Sequence, residues 1–288
     1  MSDELTRFRE RQKRVTLDGI SWLDLEVAYT DVGAGPPVIL LHGIPTWSYL
    51  YHDVIPLLES HCRVIAPDFL GHGYSDRRDC FDRSLRAQTD MIVRFIDELG
   101  LERATVVGHD TGGGVALIMG IENPDRLDRL VLTNVVAYDS WPIDDMVDLG
   151  NPQLREKSAA EIAEFVASGL PDGLHNADRL TPEFRRNIVA PYSDEEGKIS
   201  LIRNASALNT NHTTMLVDRH HQITARTLVL WGVHDPWQTI DDGVRLAEEI
   251  PNARLVRLEN ASHWLQQDAP NEFSQAIVDF LGEDLGEG

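Results

Sequence analysis

Asp110 stands in Val106-Val107-Gly108-His109-Asp110-Thr111-Gly112-Gly113, an apolar run and a tight turn followed by a second apolar run, Val115 to Met119. A reactive side chain displayed on a sharp strand-to-helix turn needs close backbone approach on both sides, which Gly108 and Gly112 permit. The free amides that open the following helix favour an anion here. A carboxylate so placed can attack an electrophilic carbon and form an ester. An aspartate here could equally be a plain helix N-cap. Three further elements, in a fixed order, favour the chemical reading. Asp235 follows the apolar run Leu228-Val229-Leu230-Trp231-Gly232, and His263 follows the last such run in Ala261-Ser262-His263-Trp264. His42-Gly43-Ile44-Pro45 follows Val38 to Leu41, where the amide of Ile44 can join that of Thr111 as an oxyanion hole. His263, oriented by Asp235, would deprotonate a water to cleave the ester on Asp110.

These residues must be brought together by strand ends. Short β-branched runs alternate with helical patterns, which argues for βα units and a mostly parallel sheet. Strands are expected at Arg14–Leu17, Leu25–Thr30, Val38–Leu41, Arg63–Ala66, Thr105–Gly108, Arg129–Thr133, Thr227–Gly232 and Arg254–Leu258. Helices are expected at Ala87–Leu99, Gly112–Glu122, Asp241–Ile250 and Asn271–Leu281. The alternation stops between about Val135 and Ile223, where helical stretches such as Ser158–Ser168 and Pro182–Ile188 are joined by Pro, Gly, Asn and Asp turns. The fold class is therefore α/β: an eight-stranded, mostly parallel sheet covered by helices, with an inserted helical cap. Residues 1–134 and 224–288 are expected to form the core and 135–223 the cap, with a frayed tail from Gly282 to Gly288.

The 288 residues, 42% apolar and 7% aromatic, can build one sizeable core. A formal charge of −21 repels phosphate backbones and anionic lipid, so neither nucleic acid nor a membrane is an expected partner. No apolar run approaches the roughly 20 residues that span a bilayer. The charged stretch Met1–Arg14 lacks the apolar segment of a secretory signal, which makes a cytoplasmic location the expectation. Of 26 basic residues only Lys13, Lys157 and Lys198 are lysine, and acidic residues are spread along the whole chain, a pattern that suggests a halophilic surface. Cys62 and Cys80 form no CxxC pair and read as structural thiols.

The run His42-Gly43-Ile44-Pro45-Thr46-Trp47-Ser48-Tyr49-Leu50-Tyr51, with Val64-Ile65-Ala66-Pro67-Asp68-Phe69-Leu70-Gly71-His72-Gly73-Tyr74-Ser75-Asp76 and Gly108-His109-Asp110, resembles the haloalkane dehalogenases and epoxide hydrolases of the α/β-hydrolase superfamily. The resemblance spans about Asp31 to Val135 and Thr224 to Leu281, and in the cap Ala190-Pro191-Tyr192 is loosely similar to an Ala-Pro-Phe stretch of dehalogenases. It implies the α/β-hydrolase fold, a small-molecule substrate, an Asp110–His263–Asp235 triad and no cofactor or metal.

The chain departs from the dehalogenase pattern where the departing halide is held: Thr111 replaces a Trp, and Ile44 an Asn of the oxyanion loop. Trp141 and Trp237 are candidate replacements for those donors. Fluoroacetate dehalogenases carry arginines after the nucleophile, where this chain has Thr111 and Gly114, so a small-acid substrate is not expected. An epoxide hydrolase needs cap phenols, for which Tyr138 and Tyr192 are the candidates. An ester or lactone hydrolase is a further alternative, although attack on an acyl carbon would give an anhydride. Outside catalysis, the frame could serve as a small-molecule binding protein. His72, His109, His212, His220 and His221 read as packed or solvated histidines rather than ligands. The uncharged Asn134 after the sixth strand favours Asp235 as the acid, with Asp139 a minor rival.

Overall fold

In the computed structural model, which describes residues 3–20 and 23–283, eight strands form one sheet. They are β1 (Lys13–Leu17), β2 (Leu25–Val32), β3 (Pro37–Leu41), β4 (Arg63–Pro67), β5 (Ala104–Asp110), β6 (Leu127–Val135), β7 (Arg226–Gly232) and β8 (Ala253–Leu258). Their order is β1-β2-β4-β3-β5-β6-β7-β8. β2 runs antiparallel to both neighbours, and every other pairing is parallel. Each expected strand is present, with ends within two residues of the pattern in the sequence. All seven residues of β5 are buried, as a central parallel strand covered on both faces requires.

The parallel register brings the carboxyl ends of the central strands to one edge, where Leu41 pairs with Gly108 and Asp110 with Val135. In open α/β sheets that edge is where ligands bind. The helix Thr111–Glu122 packs so tightly behind β5 that a Cβ on Gly112 would lie 2.4 Å from the His42 carbonyl oxygen. The helix Leu85–Glu98 buries Leu85, Met91, Ile92, Phe95 and Ile96 on one face, a 3.6-residue period, and is capped by Ser84 Oγ accepting from the Ala87 amide at 3.2 Å.

Between β6 and β7 the chain is helical: Asp144–Leu149, Ala159–Gly169, Pro182–Val189, Glu195–Ser206 and Asn211–Thr214, linked by 3₁₀ turns. Ser158 and Glu161 form a reciprocal capping box at the second of these. Leu149, Ile162, Val166, Tyr192, Leu201 and Ala205 make a small core that closes on Ile44, so this segment rests on the loop after β3. The charged N-terminal stretch, where no element was expected, is a helix over Asp3–Arg11. It buries Leu5 and sets Phe8 edge-on against Trp47 and Tyr49, at ring distances of 5.5 and 5.2 Å. Of the expected tail, residues 284–288 lie outside the described residues. Glu283 pairs with Arg226 and Arg254 at 2.6 and 2.7 Å.

Candidate active site

Asp110 ends β5 with φ 50° and ψ −122°, a left-handed backbone that non-glycine residues adopt rarely and that marks strained turns at functional positions. The turn throws the carboxylate out of the sheet, over the loop that follows β3. Gly43 is what lets that loop approach: a Cβ there would sit 2.2 Å from Asp110 Oδ1. The Ile44 amide donates to Asp110 Oδ1 at 2.8 Å, and the Thr111 amide donates to the same carboxylate. Burial raises the Asp110 carboxyl above its ordinary range, against the pull of His263 and these two amides.

Asp235, in the loop after β7, accepts at Oδ1 from the Trp237 and Gln238 amides, at 2.8 and 3.1 Å. Its Oδ2 meets His263 Nδ1 at 2.8 Å. That bond leaves Nε2 as the basic nitrogen of a neutral His263. Burial works against charging His263, but the field and hydrogen bond of Asp235, together with Asp110, prevail and hold its pKa above the ordinary value. Asp139, the rival acid, is exposed. His109 packs its ring 4.7 Å from that of His263 and donates no charge to the site, because burial and the His263 field push its pKa far down.

Asp110 and His263 line a cavity of about 200 Å³. The loops contribute Ile44, Thr111, Trp237, Gln238 and Trp264, and the helical segment closes the other side with Trp141, Ile143, Met146, Phe165, Val166 and Leu170. Acidic residues, Asp145 and Asp172, stand in its wall, and among the described residues no lysine or arginine does.

The sequence-based candidates for contacts beyond the triad divide. Trp237 and Trp141 both line the cavity, but Trp141 gives its indole N–H to Thr213 Oγ1 at 2.7 Å and has none left for a leaving group. Tyr138 and Tyr192 are not in the wall. Tyr138 donates to Glu249 at 2.9 Å and Tyr192 to the Thr46 carbonyl at 3.3 Å. His220 also bonds Glu249, at 2.7 Å, and among the described residues no group of three or more metal-ligating side chains converges. Sequence reasoning missed Gln238 and Trp264 as cavity residues. Their only signal was adjacency to Asp235 and His263.

The alpha/beta hydrolase fold family matches residues 36–270. The chain is 30% identical over 275 residues to haloalkane dehalogenase 2 of Mycobacterium bovis, covering 91% of this chain and 94% of that one. It is 29% identical to a 2-hydroxy-6-oxononadienedioate/2-hydroxy-6-oxononatrienedioate hydrolase of Cupriavidus pinatubonensis, covering 90% and 91%. A solved alpha/beta hydrolase fold protein from Burkholderia ambifaria superposes with a TM-score of 0.84 at 25% identity, covering 93% of this chain and 97% of that one. With its eight-stranded sheet, its cavity at the strand ends and these relatives, the chain belongs to the alpha/beta hydrolase fold family and is a hydrolase.

Proposed function

We propose that the protein forms an ester between Asp110 and a carbon of its substrate and then hydrolyses that ester, in the manner of a haloalkane dehalogenase. The observation that carries this reading is the 2.8 Å hydrogen bond from the Ile44 amide to Asp110 Oδ1. In a serine enzyme the corresponding amides wait for the oxygen of the substrate carbonyl. Here they already hold an oxygen of the nucleophile, which is where negative charge develops when water adds to the Asp110 ester. The arrangement therefore suits a two-step reaction. First the carboxylate displaces a leaving group from carbon; then His263 takes a proton from water, hydroxide adds to the Asp110 carboxyl carbon, and the alcohol departs with a proton returned by His263.

The cavity supports a small, uncharged substrate. Its walls are mostly apolar, and with no lysine or arginine in the wall among the described residues, an acidic substrate would face Asp110, Asp145 and Asp172 with only His263 to oppose them. The dehalogenase reading is favoured over an epoxide hydrolase because the Tyr138 and Tyr192 hydroxyls are engaged elsewhere. It is favoured over an ester or lactone hydrolase because acyl attack by Asp110 would end in an anhydride.

A single turnover of a short alkyl bromide in heavy-oxygen water tests the scheme. Isotope should enter the Asp110 carboxylate before it accumulates in the alcohol. Label in the alcohol alone would show direct attack by water and remove Asp110 as nucleophile.

A further inference from the structure

We propose that Asp268 is a positioning residue for the base: its carboxylate ties the loop that carries His263 to the segment that walls the cavity, so that base and cavity are assembled together. The inference rests on the reaction proposed above, in which His263 is needed only to hydrolyse the Asp110 ester.

Asp268 ends the short helix Leu265–Asp268, is 7% exposed and lies outside the cavity wall. A buried carboxylate is costly unless donors meet it, and here three backbone amides do. Oδ2 accepts from Ser262 at 2.9 Å and from His175 at 2.9 Å, and Oδ1 accepts from Asn176 at 3.0 Å. The two sides of this clamp come from distant parts of the chain. Ser262 directly precedes His263, whereas His175 and Asn176 belong to the helical segment between β6 and β7 and follow Leu170 and Asp172 of the cavity wall.

Further contacts run along the same seam. The Trp264 amide donates to the Gly173 carbonyl at 3.0 Å, and Gln267 Nε2 donates to the Arg179 carbonyl at 2.8 Å. Gly173 permits this approach, since a Cβ there would lie 2.7 Å from the Trp264 ring. Ser262 Oγ donates to the His234 carbonyl at 3.0 Å, and the His234 amide donates to the Ala261 carbonyl at 3.1 Å, which joins the loop of His263 to the loop of Asp235. His234 in turn stacks its ring on that of His175, 4.2 Å away and within 13° of parallel. The segment that walls the cavity therefore rests on the residues just before both His263 and Asp235, and the Asp268 carboxylate anchors that contact. His263 must keep Nδ1 on Asp235 while Nε2 serves the water that attacks the ester. A shift of roughly 1 Å at Ser262 would misdirect it, and a misplacement of that size costs on the order of 100-fold. Ester formation needs no base, so it reports on the same molecule without His263.

Quenched-flow mass spectrometry with a short primary alkyl bromide should follow the rise and decay of the Asp110 ester in the wild-type protein and its variants. Asp268→Ala should slow the decay about 100-fold. Asp268→Asn keeps an acceptor but turns an NH₂ toward one of the amides, and should slow it about 10-fold. The rise should change far less in both. The pH midpoint of the decay should also fall: burial opposes charge on His263 and Asp235 holds its pKa up, so a loosened pair titrates lower. If neither Asp268 variant folds, Gln267→Met decides, because it cuts only the tie to Arg179 and should slow the decay several-fold with the same fall in midpoint. Decay that falls no more than the rise, or a midpoint that stays in place, would overturn the inference and leave the two-step reaction standing. No ester in the wild-type protein would overturn the reaction, and this inference with it.

Discussion

Asn134 Nδ2 donates to Asp235 Oδ2 at 2.7 Å, and that same oxygen accepts from His263 Nδ1 at 2.8 Å. Asn134 ends β6 with φ 41°, a left-handed conformation that asparagine tolerates better than most residues. Its Oδ1 takes the Gly232 amide at 2.8 Å, and its Nδ2 also reaches the Gly232 carbonyl at 3.2 Å, so the side chain clamps the end of β7 just before the acid. In the proposed reaction Asn134 is a positioning group, acting on His263 through Asp235.

Asn134→Gly keeps the left-handed backbone available while deleting the amide. A hydrogen bond to a charged group is worth about 1.5–3 kcal/mol, so hydrolysis of the Asp110 ester should fall roughly ten- to a hundredfold. Ester formation, which needs no base, should change far less. Presteady-state kinetics separate the two; equal loss in both steps would show that Asn134 supports only the fold.

The two steps should respond oppositely placed on the pH axis. Asp110 must be ionised to attack, and its pKa is raised above 3.8, chiefly by burial. His263 must be neutral to activate water, and its pKa is raised above 6.5: burial opposes the charged form, but Asp235 and Asp110 outweigh it. Wherever Asp110 is ionised and His263 is protonated, the carboxylate can attack but the base cannot act. The ester should therefore accumulate at mildly acidic pH and clear as pH rises through the His263 pKa. Quenched-flow mass spectrometry across this range checks it, and an ester level independent of pH would refute the assignment of His263 as base.

The sheet was legible because periodicity reports it directly, and spacing was enough to place the candidate site residues beside it. Buried parallel strands leave continuous apolar runs, and Asp110, Asp235 and His263 lie in short segments at or just after strand ends. The helix Glu195–Ser206 was not legible, because its docking depends on polar contacts. Ser200 Oγ and Asn204 Nδ2 both donate to the Gly71 carbonyl, at 2.8 and 2.7 Å, and the buried Lys198 reaches the Arg155 and Lys157 carbonyls at 2.9 and 2.8 Å. Polar residues in a helix interior read as a solvated face until their partners are known. The placement of Tyr138 and Tyr192 outside the cavity wall was not legible for the same reason, since partners distant in sequence engage their phenols.

Asp110→Asn should abolish turnover and raise stability at neutral pH. A carboxyl whose pKa is raised on folding binds its proton more tightly in the folded state. Its contribution is fully present below the unfolded pKa and is lost as pH rises through the folded value. Asparagine carries no such charge and also tolerates φ 50°. The variant should thus melt a few degrees above wild type near neutrality, with the gap closing as the pH approaches 3.8. Circular dichroism melts at several pH values measure it, and a gap that is constant with pH would show that the buried charge is not its source.

Added salt should raise the melting temperature of the wild-type protein. The formal charge is −21, and closely spaced carboxylates repel one another in the folded state. That repulsion weakens as the Debye length falls from about 10 Å at 0.1 M to about 3 Å at 1 M. Screening also weakens attractive surface pairs such as Arg11–Glu59 and Arg14–Glu26, but exposed pairs of this kind contribute about 0–1 kcal/mol each. With acidic residues outnumbering basic ones 47 to 26, relief of repulsion should win. The Asp110 step should respond less, because the Ile44 and Thr111 amides and His263 set its field inside a buried site. Thermal melts and single-turnover rates between roughly 0.1 and 2 M potassium chloride, where screening changes most, test both halves: a flat or falling melting temperature would remove the halophilic reading of the surface, and an adduct-formation rate that tracks the melting temperature would show that the site is not insulated from it.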